Sequence, residues 1–112
     1  MRRKNRCYIS GPITGVENYL EIFDKWEFDV VQTTGWTVIN PARVNYEMPS
    51  NTEYEEYMDM CETMLGMCDR IFLIPGWMRS KGCVFERHYA KIHGLKIFVL
   101  VGDKIQEVKD EG

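Results

Sequence analysis

Two hydrophobic patterns alternate along the chain: short continuous apolar runs, and longer segments in which apolar residues recur every three or four positions. Short runs of this kind indicate buried strands, whereas the longer period indicates helices with one face on a core. The runs predict strands at residues 6–10, 36–39, 70–74 and 96–101. The periodic segments predict helices at residues 19–34, 53–67 and 83–93.

Residues that favour helix ends lie at the boundaries of the predicted helices. Asn18 precedes the first helix, and Thr52 with Glu55 would form a capping box at the start of the second. Gly35 and Gly94 follow the first and third helices, where a left-handed residue commonly ends a helix. These residues support the predicted boundaries.

Two segments show neither pattern. Residues 40–51 are rich in Pro, Asn and Ser and predict a loop, and the charged residues 102–112 predict a frayed helix or a disordered tail. The other elements alternate strand and helix, which predicts a single domain over 1–112 with its core at 6–101. We expect a three-layer α/β fold, flavodoxin-like or Rossmann-like, with a parallel sheet of four to five strands and helices on both faces.

Glu86 is the first candidate for a catalytic residue. In such sheets, ligands bind at the carboxyl ends of the strands, at the point where successive strands begin to be added to the opposite side of the sheet. In this chain, we expect that point between the loops after the first and third strands. Glu86 follows the second of them and would lie in the first turn of a helix, where the positive helix end favours an ionised carboxylate and thus a nucleophile. A glutamate that caps its own helix is the alternative, and position alone does not separate the two.

Composition excludes several classes of partner. The chain has 112 residues, 45% of them hydrophobic, which is enough for one core. Four of the 14 basic residues lie within residues 2–6, so the rest of the chain, with 17 acidic residues, argues against a duplex nucleic-acid partner. The apolar run after this basic start is too short for a signal peptide, and no run reaches the roughly 18 residues of a membrane helix. We expect a cytoplasmic protein without membrane association.

Cysteine and histidine positions indicate neither a disulfide framework nor a metal site. The cysteines at 7, 61, 68 and 83 include no C-x-x-C pair, and a core of this size needs no disulfides. His88 and His93 lack the closely spaced partners of zinc ligands. We expect reduced cysteines and no bound metal.

Small and hydroxyl residues flank both loops of the expected crevice. Gly11 and Gly15 flank the first loop, and Ser80 and Gly82 precede the third helix. Backbone N–H groups at such positions can approach a phosphate or a sugar because no Cβ intervenes. Neither loop matches a dinucleotide-binding or Walker motif, so ordinary tight turns are the alternative.

Three further side chains each have a chemical and a structural interpretation. Tyr8, in the first strand, would orient Glu86 or simply pack in the core. Trp77 would stack on a base or pack its loop against the body. Asp59, on the polar side of the second helix, would protonate a leaving group or be merely solvated. The sequence leaves these alternatives open.

Three motifs together resemble one known superfamily. They are CYISGPITG at 7–15, CD at 68–69 and PGW-x-x-S-x-G-x-x-x-E at 75–86. In this order, over about residues 6–101, they resemble the nucleoside 2-deoxyribosyltransferase-like superfamily, and in particular its small branch common in phage and prophage genomes. The motifs are fairly specific in combination and weak one by one.

The resemblance implies roles for three residues. The glutamate matching Glu86 attacks the anomeric carbon of a nucleoside or nucleotide and forms a glycosyl-enzyme, which water or a second base resolves. The tyrosine matching Tyr8 orients this glutamate. Ser80 matches a serine that contacts phosphate in the nucleoside-monophosphate hydrolases, where transferases carry an aspartate. The resemblance implies no metal or organic cofactor, and it implies a homo-oligomer, for which the aromatic-rich residues 46–57 are a candidate contact.

Two departures from the superfamily pattern bear on activity. Thr14 stands where the hydrolases carry a phosphate-binding arginine, which weakens the expectation of phosphate affinity. Cys61 stands where relatives carry an aspartate that assists departure of the base, and a thiol is a poor substitute for a carboxylic acid.

Residues and resemblance together predict an N-glycosidase or deoxyribosyltransferase-like enzyme that cleaves the N-glycosidic bond of a nucleoside or nucleoside 5′-monophosphate. Glu86, Tyr8 and Asp59 are the predicted catalytic residues. The predicted substrate-binding residues are Gly11, Pro12, Ile13, Thr14, Gly15, Gly76, Trp77, Ser80 and Gly82. One alternative is a nucleotide-binding module that kept the crevice and lost the acid, and another is a crevice that serves a protein partner.

Overall fold

A five-stranded sheet forms the centre of the computed structural model, which describes residues 4–109. The strands, in chain order, are β1 (Arg6–Ser10), β2 (Thr37–Ile39), β3 (Arg70–Leu73), β4 (Lys96–Val101) and β5 (Lys104–Val108). Their spatial order is β2-β1-β3-β4-β5, with the first four parallel and β5 antiparallel to β4. The predicted fold class, a single α/β domain of the flavodoxin-like kind, is therefore confirmed. The basic residues Arg2 and Arg3 lie outside the described residues.

Four α-helices cover the two faces of the sheet within residues 4–109. They are α1 (Tyr19–Thr34), α2 (Pro41–Glu47), α3 (Tyr54–Gly66) and α4 (Lys81–Ile92), and a short 3₁₀ turn spans Trp77–Arg79. The bounds of α1 are those predicted, and Gly35 ends it in the left-handed conformation at φ +76°. No helix in this part of the chain combines the length and apolar content that crossing a membrane requires.

The alternation of side chains along each strand divides the core into two halves. Because successive residues of a strand face opposite sides of a sheet, Cys7 and Ile9 of β1 pack with α1 and α2 on one face. Tyr8 of the same strand faces the other side and packs with α3 and α4. Every residue of β3, the strand at the centre of the sheet, is buried. The site described below lies on the α3 and α4 face.

The predicted loop over residues 40–51 is wrong, since α2 occupies Pro41–Glu47. Asn40 caps this helix by accepting a hydrogen bond from the backbone N–H of Ala42 at 3.0 Å, and Pro41 takes the first helical position, where its missing N–H costs nothing. The amide of Asn40 also donates to Asp24 and Glu27 of α1, at 3.1 and 3.0 Å. The Asn-Pro pair thus starts a helix rather than a loop.

The predicted charged tail is also wrong over residues 104–108, which form β5. Gly102, at φ +65°, permits the tight turn that reverses the chain after β4. As an edge strand with little burial, β5 needs few apolar residues, so its sequence lacks the apolar run that marks a central strand. Residues 110–112 of the predicted tail lie outside the described residues.

The cap of α3 is one residue later than predicted. Glu53, rather than Thr52, is the N-cap, and it forms a capping box with Glu56. The backbone N–H of Glu53 donates to Glu56 Oε1 at 2.8 Å, while the Thr52 hydroxyl donates to the carbonyl of Pro49 at 2.6 Å. A glutamate at the cap position replaces the expected Thr52–Glu55 pair.

Asp69 ties together the amino-terminal ends of β1 and β3, opposite the site. Its carboxylate accepts hydrogen bonds from the backbone N–H groups of Asn5 and Arg6, at 3.2 and 3.0 Å, and from Arg70 Nε at 3.0 Å. Burial pushes the pKa of Asp69 upward, but the hydrogen bonds from Arg70, Arg6 and Asn5 outweigh it and leave the pKa lowered. The Arg70 guanidinium is nearly buried and also lies 4.6 Å from the ring centre of Trp36.

We expect Asp69→Ala to lower the free energy of unfolding by about 1–3 kcal/mol at neutral pH, because it leaves the nearly buried Arg70 guanidinium and the half-buried N–H of Arg6 without their acceptor. With a folded-state pKa below the unfolded value of about 3.9, the ionised Asp69 stabilises the fold at neutral pH, and this stabilisation is lost as pH falls through the folded-state pKa. Urea unfolding at several pH values measures both effects. The exposed Asp103→Ala is the control, and an equal loss in the two variants would contradict the prediction.

Candidate active site

A cavity of about 220 Å³ opens at the carboxyl ends of β1 and β3, between the loop after β1 and the start of α4. This is the place predicted from the topology, and the structure brings the two expected loops together there. Its lining consists of Tyr8, Gly11, Ile13, Thr14, Tyr19, Phe23, Pro41, Asn45, Tyr54, Tyr57, Met58, Cys61, Ser80, Gly82, Cys83 and Glu86. Glu86 is the one carboxylate in this set.

Glu86 is buried, with 6% of its surface exposed, and two hydroxyl groups of β1 hold its carboxylate. Tyr8 Oη donates to Oε2 and Ser10 Oγ donates to Oε1, each over 2.6 Å. These distances are at the short end for hydroxyl donors, as expected for hydrogen bonds to an ionised group. The Glu86 side chain therefore points from α4 toward the carboxyl end of β1, and the two hydrogen bonds from β1 set its orientation.

The structure rules out the interpretation of Glu86 as a cap of its own helix. Helix α4 begins at Lys81, two residues earlier than predicted, and Ser80 caps it by accepting from the backbone N–H of Cys83 at 3.3 Å. Glu86 is therefore in the second turn rather than the first. Its carboxylate bonds to β1 and not to the helix end.

The direction in which the pKa of Glu86 is shifted also differs from the prediction. The positive helix end was expected to favour the charged form, but burial dominates and raises the pKa of Glu86, although hydrogen bonds from Ser10, Tyr8 and Cys61 oppose this effect. Burial dominates because the positive end of a helix acts mainly on the first turn, and Glu86 is in the second turn. Desolvation, by contrast, acts on any buried charge. A raised pKa makes the ionised form more basic than that of a solvated glutamate.

Tyr8 combines the two interpretations that the sequence left open. It is 1% exposed and belongs to the core cluster between the sheet and helices α3 and α4, yet its hydroxyl reaches Glu86. Burial and the nearby charge of Glu86 raise its pKa well above the usual value, so the phenol stays neutral and acts as a hydrogen-bond donor. The geometry is that of an orienting residue.

Ser10 is a site residue that the sequence analysis missed. It is 1% exposed and donates to the same carboxylate as Tyr8. A signal was present, since residues two apart on a strand face the same side, and Ser10 is two positions after Tyr8. A buried hydroxyl at the end of an apolar strand also requires a partner.

Five of the predicted substrate-binding residues line the cavity: Gly11, Ile13, Thr14, Ser80 and Gly82. Gly11 has no room for a side chain, because a Cβ there would lie 2.8 Å from Ile74 Cδ1. Pro12 lines the adjoining depression described below. Gly15 and Gly76 lie outside the cavity lining, and their positive φ values, +79° and +96°, explain them as turn residues.

Trp77 and Asp59 also lie outside the cavity lining. Trp77 packs against the core cluster under α3 and α4, and the Arg87 guanidinium lies 5.6 Å from its ring centre, so its packing interpretation matches the structure. Asp59 borders a separate depression with Glu62 and Tyr89. Asp59 therefore does not border the cavity that holds Glu86, and its catalytic role stays a prediction.

Cys61 is the α3 residue that reaches Glu86. It lines the cavity together with Tyr8 and Glu86, and its thiol is one of the groups that lower the pKa of Glu86 against burial. Burial, reinforced by the negative charge of Glu86, raises the pKa of Cys61 to about 11, so the thiol is protonated at neutral pH. All four cysteines are free and buried.

Seven residues from three helices, four of them aromatic, also line the cavity, and the sequence analysis did not assign them to the site. They are Tyr19 and Phe23 from α1, Asn45 and Pro41 from α2, and Tyr54, Tyr57 and Met58 from α3. The helical period indicated that these helices pack on the sheet, but not which residues at their ends border a cavity. The α2 residues were missed because α2 itself was not predicted.

A second depression adjoins the cavity and carries positive charge. It shares Ile13, Thr14, Tyr54, Ser80 and Gly82 with the cavity, and it adds Pro12 and the cationic side chains of Arg79 and Lys81. The cavity itself contains only the negative charge of Glu86. The combined crevice therefore has an anionic floor and a cationic end. Within residues 4–109, no cluster of His, Cys, Asp or Glu has an arrangement suited to a metal ion.

Fold and site together define an α/β protein of the flavodoxin-like class with a buried glutamate in the crevice at its sheet edge. The chain belongs to the family described as domain of unknown function DUF4406, whose model matches residues 5–99. No protein with a curated function matches it.

A solved structure shares this fold: 2-deoxyribosyltransferase from the psychrotolerant bacterium Bacillus psychrosaccharolyticus. The TM-score is 0.64 and the identity 20%, and the match covers 90% of this chain and 77% of the other. The fold implied by the sequence motifs is thus confirmed, while membership of a phage branch stays a prediction.

Proposed function

We propose that this protein cleaves the N-glycosidic bond of a nucleoside or nucleoside 5′-monophosphate, with Glu86 as the nucleophile. The observation that carries the proposal is the buried carboxylate held by Tyr8 and Ser10 at the floor of a ligand-sized crevice. The shared fold with a 2-deoxyribosyltransferase supports it. Burial raises the basicity of this carboxylate, and the two hydroxyl donors fix its direction.

The proposed reaction has two steps. A Glu86 oxygen bonds to the anomeric carbon as the bond from that carbon to the base nitrogen breaks, and the base departs with the electron pair and takes up a proton from water; the nucleophile of the second step returns a proton to water. Water, or the nitrogen of a second base, then displaces Glu86 from the anomeric carbon and regenerates the carboxylate. No metal or organic cofactor takes part.

The charges of the crevice indicate how a monophosphate would lie. With the sugar over Glu86, a 5′-phosphate would lie in the adjoining depression, where Arg79 and Lys81 supply positive charge and Ser80 a hydroxyl. These two cations offer the charge that an arginine at the position of Thr14 would otherwise bring. The base would lie at the other end, between Tyr19 and Tyr57, whose rings offer stacking surfaces.

A panel of nucleosides and their 5′-monophosphates, with release of free base followed by chromatography, tests the proposal. We expect release from at least one panel member, and faster release from its monophosphate. Thermal unfolding with the same panel separates the alternatives. Stabilisation without release indicates a binding module, and neither effect across the panel contradicts a nucleotide site and favours a crevice for a protein partner.

A nucleotide-binding module is the second candidate, and one observation favours it. Cys61 occupies the position of the acid that assists base departure in relatives, and its thiol, with a pKa of about 11, is a poor proton donor. Glu86 is the one carboxylate in the cavity lining, so no carboxylic acid is left to protonate the base. Slow release, or binding without release, would follow from this absence.

We expect Cys61→Asp to raise the rate of base release by about 10²-fold, the lower part of the range for general acid catalysis. The new carboxyl would lie beside Glu86, and two neighbouring carboxyls favour one shared proton, which the leaving base can take. Release rates measured by chromatography are compared with Cys61→Asn, which has nearly the same shape and no acid. Equal rates in the two folded variants would contradict the prediction.

A homo-oligomer is proposed from the resemblance alone. Tyr46 and Tyr54, which lie in the proposed contact region 46–57, are 62% and 47% exposed, and Tyr54 borders the cavity. Exposed aromatic side chains of this kind are typical of contacts between subunits. Cytoplasmic location likewise stays a prediction.

A further inference from the structure

Two hydroxyl groups from one strand hold Glu86, and one of them has no assigned role. Ser10 Oγ and Tyr8 Oη donate to different oxygens of the carboxylate, and both residues are 1% exposed, so water does not compete for these bonds. We propose that Ser10 is a positioning residue for Glu86, which fixes the orientation of the carboxylate and holds it in its charged form. The inference rests on the nucleophilic role proposed for Glu86, and its test includes a readout that needs no activity.

The geometry makes Ser10 a matched partner of Tyr8. Residues two apart on a strand face the same side, so β1 presents both hydroxyls toward α4. The Ser10 carbonyl accepts from the backbone N–H of Ile74 at 2.8 Å, which anchors this end of β1 to the chain after β3. A carboxylate bonded through both oxygens cannot rotate without losing a hydrogen bond. The carboxylate has about four lone-pair sites, so the hydrogen bonds from Ser10 and Tyr8 leave others for attack on carbon.

The surroundings of Glu86 explain why a second donor matters. The titratable groups facing it are, by element, Tyr8 from β1, Tyr54 and Cys61 from α3, and Cys83 from α4. Burial raises the pKa of each of them, so all four are uncharged at neutral pH. None of the four supplies an opposite charge, so hydrogen bonds such as those from Ser10 and Tyr8 stabilise the carboxylate. Ser10 gives the largest of the contributions that lower the pKa of Glu86 against burial.

The test is the titration of Glu86 in the folded protein, followed by NMR of protein carrying isotope-labelled glutamate. The signal of Glu86 is assigned by its absence from Glu86→Gln. We expect Ser10→Ala to move the midpoint upward by about one pH unit, as loss of a hydrogen bond to a charged group implies. Cys7→Ala is the matched control, because Cys7 is buried on the same strand and faces the other side of the sheet.

An unchanged midpoint in Ser10→Ala, or an equal shift in Cys7→Ala, would overturn the positioning role. Ser10→Cys provides a second variant that keeps the approximate size and weakens the donor, and it should give a smaller upward shift if Ser10→Ala does not fold. Where base release is measurable, the acid limb of its pH profile should move with the titration midpoint. The titration alone decides the role of Ser10 if no substrate is found, so the two proposals fail separately.

Discussion

Replacement of Glu86 by Gln is expected to abolish base release, with a loss of at least about 10³-fold in rate. The amide has nearly the same shape as the carboxylate and its carbonyl oxygen can still accept a hydrogen bond from Ser10 or Tyr8, so the fold is retained. It cannot form the glycosyl-enzyme, because an amide oxygen is a far weaker nucleophile than a carboxylate. Chromatography of the released base, at several enzyme concentrations, measures the loss.

The control for this substitution is Glu62→Gln, which removes an exposed carboxylate on α3 outside the cavity lining. It should release base at the wild-type rate. Glu86→Gln should also be no less stable than the wild type at neutral pH, because burial of the ionised carboxylate is itself unfavourable. A folded Glu86→Gln that releases base as fast as the wild type would eliminate the nucleophilic role.

Phe72→Ala is expected to lower the free energy of unfolding by about 3–5 kcal/mol, a large part of the stability of a domain of this size. Phe72 lies in the central strand β3 and is fully buried. Its ring centre is 5.5 Å from that of Trp26 on α1. Truncation removes these contacts and leaves a cavity that the rigid strand cannot close. Urea unfolding measures the change.

Phe28→Ala is the matched control, because Phe28 is on α1 but 64% exposed. The same chemical change there should alter the free energy of unfolding by no more than about 0.5 kcal/mol. Similar losses in the two variants would show that burial at Phe72 is not the source of its effect. The comparison isolates the contribution of the layer between α1 and the sheet.

Hydrophobic period alone predicted the elements that contribute most to the core. The bounds of α1 and β4 agree with the prediction to the residue, and those of β3 and α3 to within one residue at each end. These elements bury a stripe or a whole run of apolar residues, so their sequences carry the signal directly. The layer order then followed from the alternation of strand and helix.

The elements missed by the sequence analysis are those with little apolar burial. Helix α2 has only seven residues; Asn40 caps it, and the exposed Arg43 of this helix forms an ion pair at 3.1 Å with Asp24 of α1, a contact between separate parts of the chain. Strand β5 exists because the edge of β4 offers it backbone partners. The contact with α1 and the pairing with β4 are not visible in a local window of sequence, whereas the Asn40-Pro41 cap is a local signal that the sequence analysis interpreted as the end of a strand.

The residues of the candidate site likewise divide into those that the sequence analysis found and those that only the structure revealed. Glu86 and Tyr8 were found from the position of Glu86 after the third strand and from the motifs that carry the resemblance. Ser10 was missed although it bonds to Glu86 as closely as Tyr8 does. Asp59 was assigned to the site because helical period alone does not say which side of α3 borders the cavity.

The sequence by itself determined the parallel α/β architecture, the crevice between two loops and the glutamate within it, because hydrophobic period and strand order constrain all three. Only the tertiary structure decided that Glu86 is buried, that two hydroxyls of β1 hold it and that its pKa is raised. The physical reason is that desolvation and hydrogen bonding depend on groups far apart in the chain: Ser10 and Glu86 are 76 positions apart and meet only when β1 and α4 pack together.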